Sequence, residues 1–399
     1  MKKLMTILSA AALLLAGCGK PEEKPSDSSG SGWRLVSTWD MYEEEKHGSF
    51  VLDQNGRLDF LDLETMERTP FCNDATCRHE PLKGSEDDWN GKVCAAYGKY
   101  NHPFLYSDKL YYFRSTEFEQ REDGMLSQGV QLWQCDVGGG SEKQLAELKM
   151  LTIRDYDKAL LKDGKLWTLL TDEPLDPNNV MQPSHFELVC FDLETGEYKN
   201  YGAVSDVHYG AGFWISGEWE GKMIFSASYN KDDRPFMEAL HEYAAAHGMT
   251  DTEAMGEYTA TMEFITTHYE ADLSTGEVKP LELPEPSLIT GKGYYYLEDG
   301  RLKCLTKGGD TLELADAPDP VDVQYLNGWL FYRRGEKFYL MNEDDRTEKE
   351  VAVGSWSPQW IIGDNLIYMQ SRDIIDEETG AVIDTVTEYI KKPISELIV

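Results

Sequence analysis

One short unit recurs along the chain, and this repetition constrains the fold more than any other feature of the sequence. Each copy opens with Gly, Asn or Asp and continues with aromatic or β-branched residues, a pattern typical of a half-buried strand after a tight turn. The copies lie at 55–60, 108–113, 164–167, 221–225, 292–296, 327–332 and 364–368. An acidic or glycine-rich turn follows each strand pair, at 62–65, 136–140, 192–197, 272–277, 307–310, 342–345 and 377–380. The chain is therefore a series of similar β-modules.

The spacing of these units predicts how they assemble. Seven units of roughly 50 residues each fall within reach of the length expected for propeller blades. A ring of four-stranded sheets also leaves no long sheet edge exposed. We therefore predict an all-β, seven-bladed β-propeller over 33–399, with six or eight blades as alternatives because the spacing is irregular. An open β-sandwich pair is the competing architecture.

One segment departs from the β-pattern. Residues 231–262 are rich in Ala, Glu, Met and His, and apolar residues recur there at helical spacing, at Phe236, Leu240, Tyr243 and Ala244. This pattern predicts an amphipathic helix over 234–247 that Gly248 terminates, and a second short helix from Thr252 or Glu253 towards Tyr258. We expect a helical insertion in the fourth blade, acting as a cover for an apolar patch, a lid or a partner-docking element.

The first residues indicate where the protein works. Lys2 and Lys3 precede an apolar run over 4–15, which is too short to span a bilayer, and the run leads into Leu15-Ala16-Gly17-Cys18. This order resembles the lipobox of bacterial lipoproteins, in which the cysteine receives a diacylglycerol. The resemblance predicts a signal peptide over 1–17 and lipidation of Cys18. Residues 19–32 consist of Pro, Ser, Gly and charged residues without an apolar side chain, which predicts a flexible tether over 18–32. An ordinary signal peptide with a chance cysteine is the alternative. The predicted location is the cell membrane, lipid-anchored and facing outside the cytoplasm.

Charge and motif content exclude some functions. With 72 acidic and 38 basic residues, the formal net charge is −34, which would repel nucleic acid. The sequence has no Gly-x-Ser-x-Gly, His-Glu-x-x-His or phosphate-loop motif. We therefore predict no catalytic residues.

Four residues form a candidate metal site. Cys72, Cys77, His79 and Cys94 provide three thiols and an imidazole, a complete tetrahedral set for structural zinc. Because thiols outside the cytoplasm tend to oxidise, a disulfide between two of the three cysteines is an equally physical alternative. Either way, the cluster is expected to hold a long loop between the first and second blades. Separate units contain Cys135, Cys190 and Cys304, which we predict to be buried as small apolar side chains.

Several of these features occur together in a known group of proteins. The lipobox, the acidic tether, the Cys-x4-Cys-x-His segment and the GKLW…CFDLETGE repeat at 164–197 resemble bacterial, Firmicutes-type lipoproteins. These proteins have a β-propeller similar to that of the low-density-lipoprotein receptor, and their function is unknown. The resemblance implies the propeller fold and the envelope location.

We predict a binding module for a glycan, a peptide or a partner protein. The alternative is a propeller-type glycan hydrolase or lyase at the cell surface. Candidate exposed aromatic residues are Tyr209, Phe213, Trp214, Trp219, Trp356 and Trp360. Packing inside the blades is the favoured explanation for these aromatic residues, because regular aromatic stripes usually belong to the core.

Overall fold

A computed structural model describes most of the chain from residue 32 onwards. The described residues are 32–37, 48–52, 57–72, 74–79, 94–97, 100–137, 139–154, 158–176, 182–316, 323–352, 357–375 and 382–398. They form seven antiparallel sheets of three to five strands, arranged as the blades of a propeller as the repeats predict, and one two-stranded hairpin. The predictions for Cys18, the tether and the turn at 377–380 lie outside the described residues.

The strands of the first three blades follow one another along the chain. The chain enters the fold through β1 (Trp33–Ser37). Blade 1 contains β2 (Gly48–Leu52), β3 (Leu58–Asp62) and β4 (Arg68–Pro70). Blade 2 contains β5 (Asn101–Tyr106), β6 (Lys109–Ser115), β9 (Val130–Asp136) and β10 (Lys143–Leu148), with a small hairpin of β7 (Glu119–Gln120) and β8 (Leu126–Ser127). Blade 3 contains β11 (Lys158–Lys162), β12 (Lys165–Asp172), β13 (His185–Asp192) and β14 (Tyr198–Ala203).

The remaining blades complete the ring. Blade 4 contains β15 (Gly212–Trp219), β16 (Lys222–Asn230), β17 (Phe264–Asp272) and β18 (Val278–Pro280). Blade 5 contains β19 (Pro286–Ile289), β20 (Gly293–Glu298), β21 (Arg301–Thr306) and β22 (Thr311–Asp316). Blade 6 contains β23 (Gln324–Leu326), β24 (Trp329–Arg334), β25 (Lys337–Asn342) and β26 (Glu348–Val351). Blade 7 contains β27 (Ser357–Ile362), β28 (Asn365–Ile375) and β29 (Val382–Pro393).

The predicted helical insertion lies between β16 and β17. Helix α1 (Phe236–His247) ends at Gly248, whose φ of 70° is the left-handed conformation that glycine adopts most readily. Helix α2 (Asp251–Thr261) begins one residue before the predicted start, because Thr250 and Glu253 form a capping box. The two helices pack on each other around Leu240. The prediction of two helices in the fourth blade is confirmed.

The acidic turns share one hydrogen-bond pattern, which explains why their sequences repeat. In blade 3, Asp192 Oδ1 accepts hydrogen bonds from the backbone N–H groups of Glu194 and Thr195, at 3.0 and 2.9 Å. The same contacts recur at Asp62, Asp272 and Asn342. At the point where the strand ends, the side-chain oxygen therefore accepts the hydrogen bonds of backbone N–H groups in place of a backbone carbonyl.

These turns make stability depend on pH. The hydrogen bond from Lys165 and then the N–H of Thr195 lower the pKa of Asp192 to about 2. The hydroxyl of Ser274 and the N–H of Thr275 lower the pKa of Asp272 to about 2. Because an unfolded aspartate titrates at about 3.9, this stabilisation is present above about pH 4 and is lost as the pH falls towards 2.

We expect the double variant Asp192→Asn and Asp272→Asn to be less stable than the wild type at pH 6, and the difference to vanish near pH 2. The urea midpoint of unfolding at a series of pH values measures this convergence. The control is Asp299→Asn at an exposed turn position, which should give a curve parallel to that of the wild type. A difference in stability between the double variant and the wild type that stays constant down to pH 2 would contradict the role of these two aspartates.

Buried side chains join each blade to the next. Six clusters of buried apolar residues follow one another around the ring, and each includes residues of neighbouring blades. Blade 7 meets blade 1 through Trp360 and Ile367 on one side and Val51 and Leu61 on the other. No strand pairs blade 1 with blade 7 among the described residues. The contact that closes the ring therefore consists of side-chain packing, with a hydrogen bond from Lys391 Nζ to the Leu63 carbonyl, at 3.0 Å.

Strand β1 is not part of the blade that follows it in sequence. It pairs antiparallel with β11, with Trp33 opposite Lys162, and therefore forms a fifth strand on the inner edge of blade 3. It also contacts β5 and β15, the first strands of blades 2 and 4. The side chains of Trp33 and Val36 are buried in the cores on either side of blade 3. One strand thus connects three blades.

The position of the turn in blade 1 shows which strand has no counterpart among the described residues of this blade. In blades 3, 4 and 6 the shared turn follows the third strand, at Asp192, Asp272 and Asn342. In blade 1 it follows β3, the second of three strands. Among the described residues, blade 1 therefore has no counterpart of the first strand, and β1, the strand that precedes it, is incorporated in blade 3.

The two faces of the ring differ in what they present. On one side of the ring, which we call the lower face, tight turns such as Asp163–Gly164 join the first and second strands of a blade. On the opposite side, which we call the upper face, one blade leads to the next. Trp33 is opposite Lys162, so the chain enters β1 from the lower face. Helices α1 and α2 connect the ends of β16 and β17 at Asn230 and Phe264, which lie on the upper face.

Candidate functional site

The predicted cysteine–histidine cluster lies in the connection between blade 1 and blade 2. Cys72 follows β4 after one intervening residue, and Cys94 immediately precedes a 3₁₀ turn at Ala95–Tyr97. A turn closed by the hydrogen bond from Cys77 N–H to the Asp74 carbonyl, at 3.0 Å, brings Cys77 back towards Cys72. Residues distant in sequence therefore meet beside the same blade.

All four predicted ligands converge. The three Sγ atoms and one imidazole nitrogen lie within 4.8 Å of one another, and the distance from His79 Nδ1 to Cys94 Sγ is 3.4 Å. Cys94 is buried, and the other three residues are half-buried. Cys72, Cys77 and Cys94 are free thiols.

Burial raises the pKa of these thiols, whereas hydrogen bonds from backbone N–H groups lower it. Burial raises the pKa of Cys72, but the backbone N–H of Asp74, the Cys94 thiol and the N–H of Ala95 together lower it below its ordinary value. Burial and the neighbouring thiols raise the pKa of Cys94 to about 12. His79 also donates its backbone N–H to Cys77 Sγ at 3.4 Å. The cluster therefore supplies backbone N–H donors to sulfur, an arrangement that also stabilises thiolate ligands of metals.

The remaining cysteines lie elsewhere. Cys135, Cys190 and Cys304 are buried free thiols in blades 2, 3 and 5, as predicted. Burial raises the pKa of Cys135 to about 11 and that of Cys190 to about 12, so these thiols stay protonated at neutral pH.

Most of the candidate aromatic residues belong to the blades. Phe213, Trp219 and Trp360 are buried in the cores, which confirms the favoured explanation for them. Tyr209 is half-buried, and Trp214 is 38% exposed on β15. Trp356 lies outside the described residues.

The sequence patterns did not reveal a group of exposed apolar side chains on the upper face of blade 4. We call it the apolar rim: Val207, Phe236, Met237, Phe264 and Ile265, which are 36–56% exposed. His208, next to Val207, stacks its imidazole on the ring of Tyr229 with centroids 3.6 Å apart, and Tyr229 is paired with Ile265 in the sheet. Asp233 accepts a hydrogen bond from the Tyr209 N–H at 2.9 Å.

Blade 4 also contains a row of residues that resembles a catalytic triad. Ser226 Oγ lies 2.7 Å from His268 Nδ1, and His268 Nε2 lies 3.5 Å from Glu285 Oε2. Ser226 is fully buried between β16 and β17, so no substrate carbonyl can approach its oxygen. This row joins two strands by hydrogen bonding. Cross-strand register brings Ser226 and His268 together, and no local motif marks it.

A small cavity separates blades 5 and 6. Its volume is about 130 Å³, and Lys292, Tyr295, Asn342, Glu343 and Arg346 are among the residues that line it. The Glu343 side chain is 1% exposed, and its Oε1 accepts a hydrogen bond from the Tyr295 hydroxyl at 2.8 Å. Its other oxygen lies 3.8 Å from Lys292 Nζ. These polar contacts join the two blades.

Comparison with known proteins gives a likeness of shape only. No family model and no curated protein matches the sequence. The β-propeller domain of the trilobed protease from Pyrococcus furiosus has 11% identity and a TM-score of 0.38, covering 90% of this chain and 96% of that one. Acylaminoacyl peptidase from Pyrococcus horikoshii has 13% identity and a TM-score of 0.41, covering 86% of this chain and 50% of that one. Dipeptidyl peptidase 4 from Porphyromonas gingivalis has 10% identity and a TM-score of 0.37, covering 88% of this chain and 52% of that one.

Among the described residues, no helix is both long and apolar enough to cross a bilayer.

Proposed function

We propose that this protein is a lipid-anchored, extracytoplasmic binding module that holds a partner protein against the upper face of blade 4. The anchor is the predicted lipid on Cys18. The direction of β1 supports this arrangement, because the chain enters the ring from the lower face while the apolar rim lies on the upper face. A tether attached to the lower face leaves the upper face open to a partner.

The apolar rim is the observation that carries the proposal. Phe264 and Met237 are 56% and 55% exposed. Exposed apolar residues that occur together on a surface are typical of protein–protein contacts, whereas singly scattered ones are not. Phenylalanine and methionine are also enriched at such interfaces.

Charge narrows the class of partner. The insertion over 231–263, which contributes Phe236 and Met237 to the rim, contains eight acidic and two basic residues and therefore has an excess of negative charge. A basic partner surface would be attracted by this charge and an acidic one repelled. The partner we propose is a protein with an apolar patch bordered by lysine or arginine.

The test is cross-linking of the full chain in membranes of its own host, followed by mass spectrometry. We expect the double variant Met237→Glu and Phe264→Glu to reduce capture of the partner at least tenfold, because buried charges replace two anchoring side chains. The matched control is Val137→Glu, at a 40% exposed valine in the lower-face turn of blade 2, which should leave capture unchanged.

Two outcomes would contradict the proposal. One is equal capture by the rim variant and the wild type. The other is saturable binding or cleavage of a glycan by residues 33–399 that the rim variant leaves intact, which would favour the glycan-directed alternative. Loss of membrane attachment in Cys18→Ser tests the anchor separately.

A further inference from the structure

We propose that Cys72, Cys77, His79 and Cys94 bind one structural Zn²⁺ ion that fastens the connection between blade 1 and blade 2. This inference is independent of the proposed partner-binding function. It rests on the convergence of the four side chains and on the backbone that positions them.

The donor set and its spacing fit zinc. With Zn–S bonds of about 2.3 Å and Zn–N bonds of about 2.0 Å, tetrahedral geometry places neighbouring ligand atoms about 3.5–3.8 Å apart. The observed distance from His79 Nδ1 to Cys94 Sγ is 3.4 Å, and all four atoms lie within 4.8 Å of one another. Thiolate and imidazole donors favour zinc over magnesium or calcium, which prefer oxygen. Four protein ligands leave no position for a substrate, so the ion is structural.

The arrangement fits a metal better than a disulfide. A disulfide would use two thiols at a separation of about 2.05 Å and would give the third thiol and the imidazole no reason to converge on them. Here the imidazole nitrogen faces the thiols.

The position of the cluster in the chain indicates which segment the ion would stabilise. Between the end of β4 at Pro70 and the start of β5 at Asn101, the described residues contain no strand, and their regular structure is the 3₁₀ turn at Ala95–Tyr97. The side chains of Ala96 and Tyr97 are buried against the cysteines. An ion held by both Cys72 and Cys94 joins the two ends of this connection, and its binding free energy adds to the stability of the folded state. Blade 1, which has three strands among the residues that the structure describes, gains an attachment to blade 2.

The experiment measures metal content, thiol state and spectrum on the purified full chain. We expect one zinc per chain by elemental analysis and native mass spectrometry, and no disulfide among the three cysteines. Replacement by Co²⁺ should give the strong visible absorption of a tetrahedral thiolate site. Cys72→Ser and His79→Asn should each lose the stoichiometric metal, and the control Cys135→Ser, at a buried cysteine of blade 2, should keep it.

If a ligand variant fails to fold, the proposal can still be tested on the wild-type protein. A strong chelator should remove the zinc and lower the melting temperature, and added Zn²⁺ should restore it. A metal-free chain with a disulfide between any two of Cys72, Cys77 and Cys94 would overturn the proposal. So would a cobalt spectrum without thiolate bands, or stoichiometric metal in both ligand variants.

Discussion

Replacing Trp360 with alanine is expected to lower the free energy of unfolding by about 3–5 kcal/mol, the usual cost of truncating a buried tryptophan. Trp360 is 2% exposed and packs with Ile367 of its own blade and with Val51 and Leu61 of blade 1. No strand is shared across this contact among the described residues, so packing supplies most of the closure. A cavity here weakens the place where the ring is completed.

Urea unfolding monitored by circular dichroism measures this loss. The matched control is Trp214→Ala, because Trp214 is 38% exposed on β15 and its truncation removes less buried area than that of Trp360. We expect the control to lose clearly less stability than Trp360→Ala. If the two tryptophan variants lost the same stability, closure by the packing of blade 7 on blade 1 would be wrong.

The second large effect concerns β1. Val36→Asp is expected to destabilise the fold by about 4 kcal/mol or more, because it places an unpaired carboxylate in a dry core. Val36 is fully buried between blades 2 and 3, where Phe104 and Leu161 belong to the same cluster. Since β1 also contacts β15, its loss would loosen three blades together.

Thermal unfolding of Val36→Asp tests this placement. Val137→Asp is the control, since it introduces the same charge at an exposed valine. A melting temperature for Val36→Asp close to that of Val137→Asp would show that β1 does not occupy the inner edge of blade 3 in solution. A ring that unfolds as one unit should show the loss by far-ultraviolet and tryptophan signals alike.

Local chemistry explains what could be predicted from the sequence. The turn at Asp192 forms its hydrogen bonds with residues two and three positions away, so its motif is readable wherever it recurs. The first helix was predictable because its apolar residues recur at helical spacing and Gly248 ends it. Repetition of such local units predicted both the strands and the number of blades.

Other features depend on partners far away along the chain. The burial of Phe213 and the exposure of its neighbour Trp214 follow from which face of β15 meets the core, and an aromatic pattern does not specify that face. The contact between Ser226 and His268 depends on the register of two strands separated by the helical insertion.

By itself the sequence determined the repeating β-modules, their turns, the capped helices and the four donor residues of the cysteine–histidine cluster, because each is written in residues close together or in their chemical type. Only the tertiary structure decided that β1 joins blade 3, that packing closes the ring between blades 7 and 1, and that the four donors meet. A strand pattern predicts that a segment is extended and which of its sides is apolar. The strand with which it pairs depends on the whole ring, because each pairing buries a different apolar area.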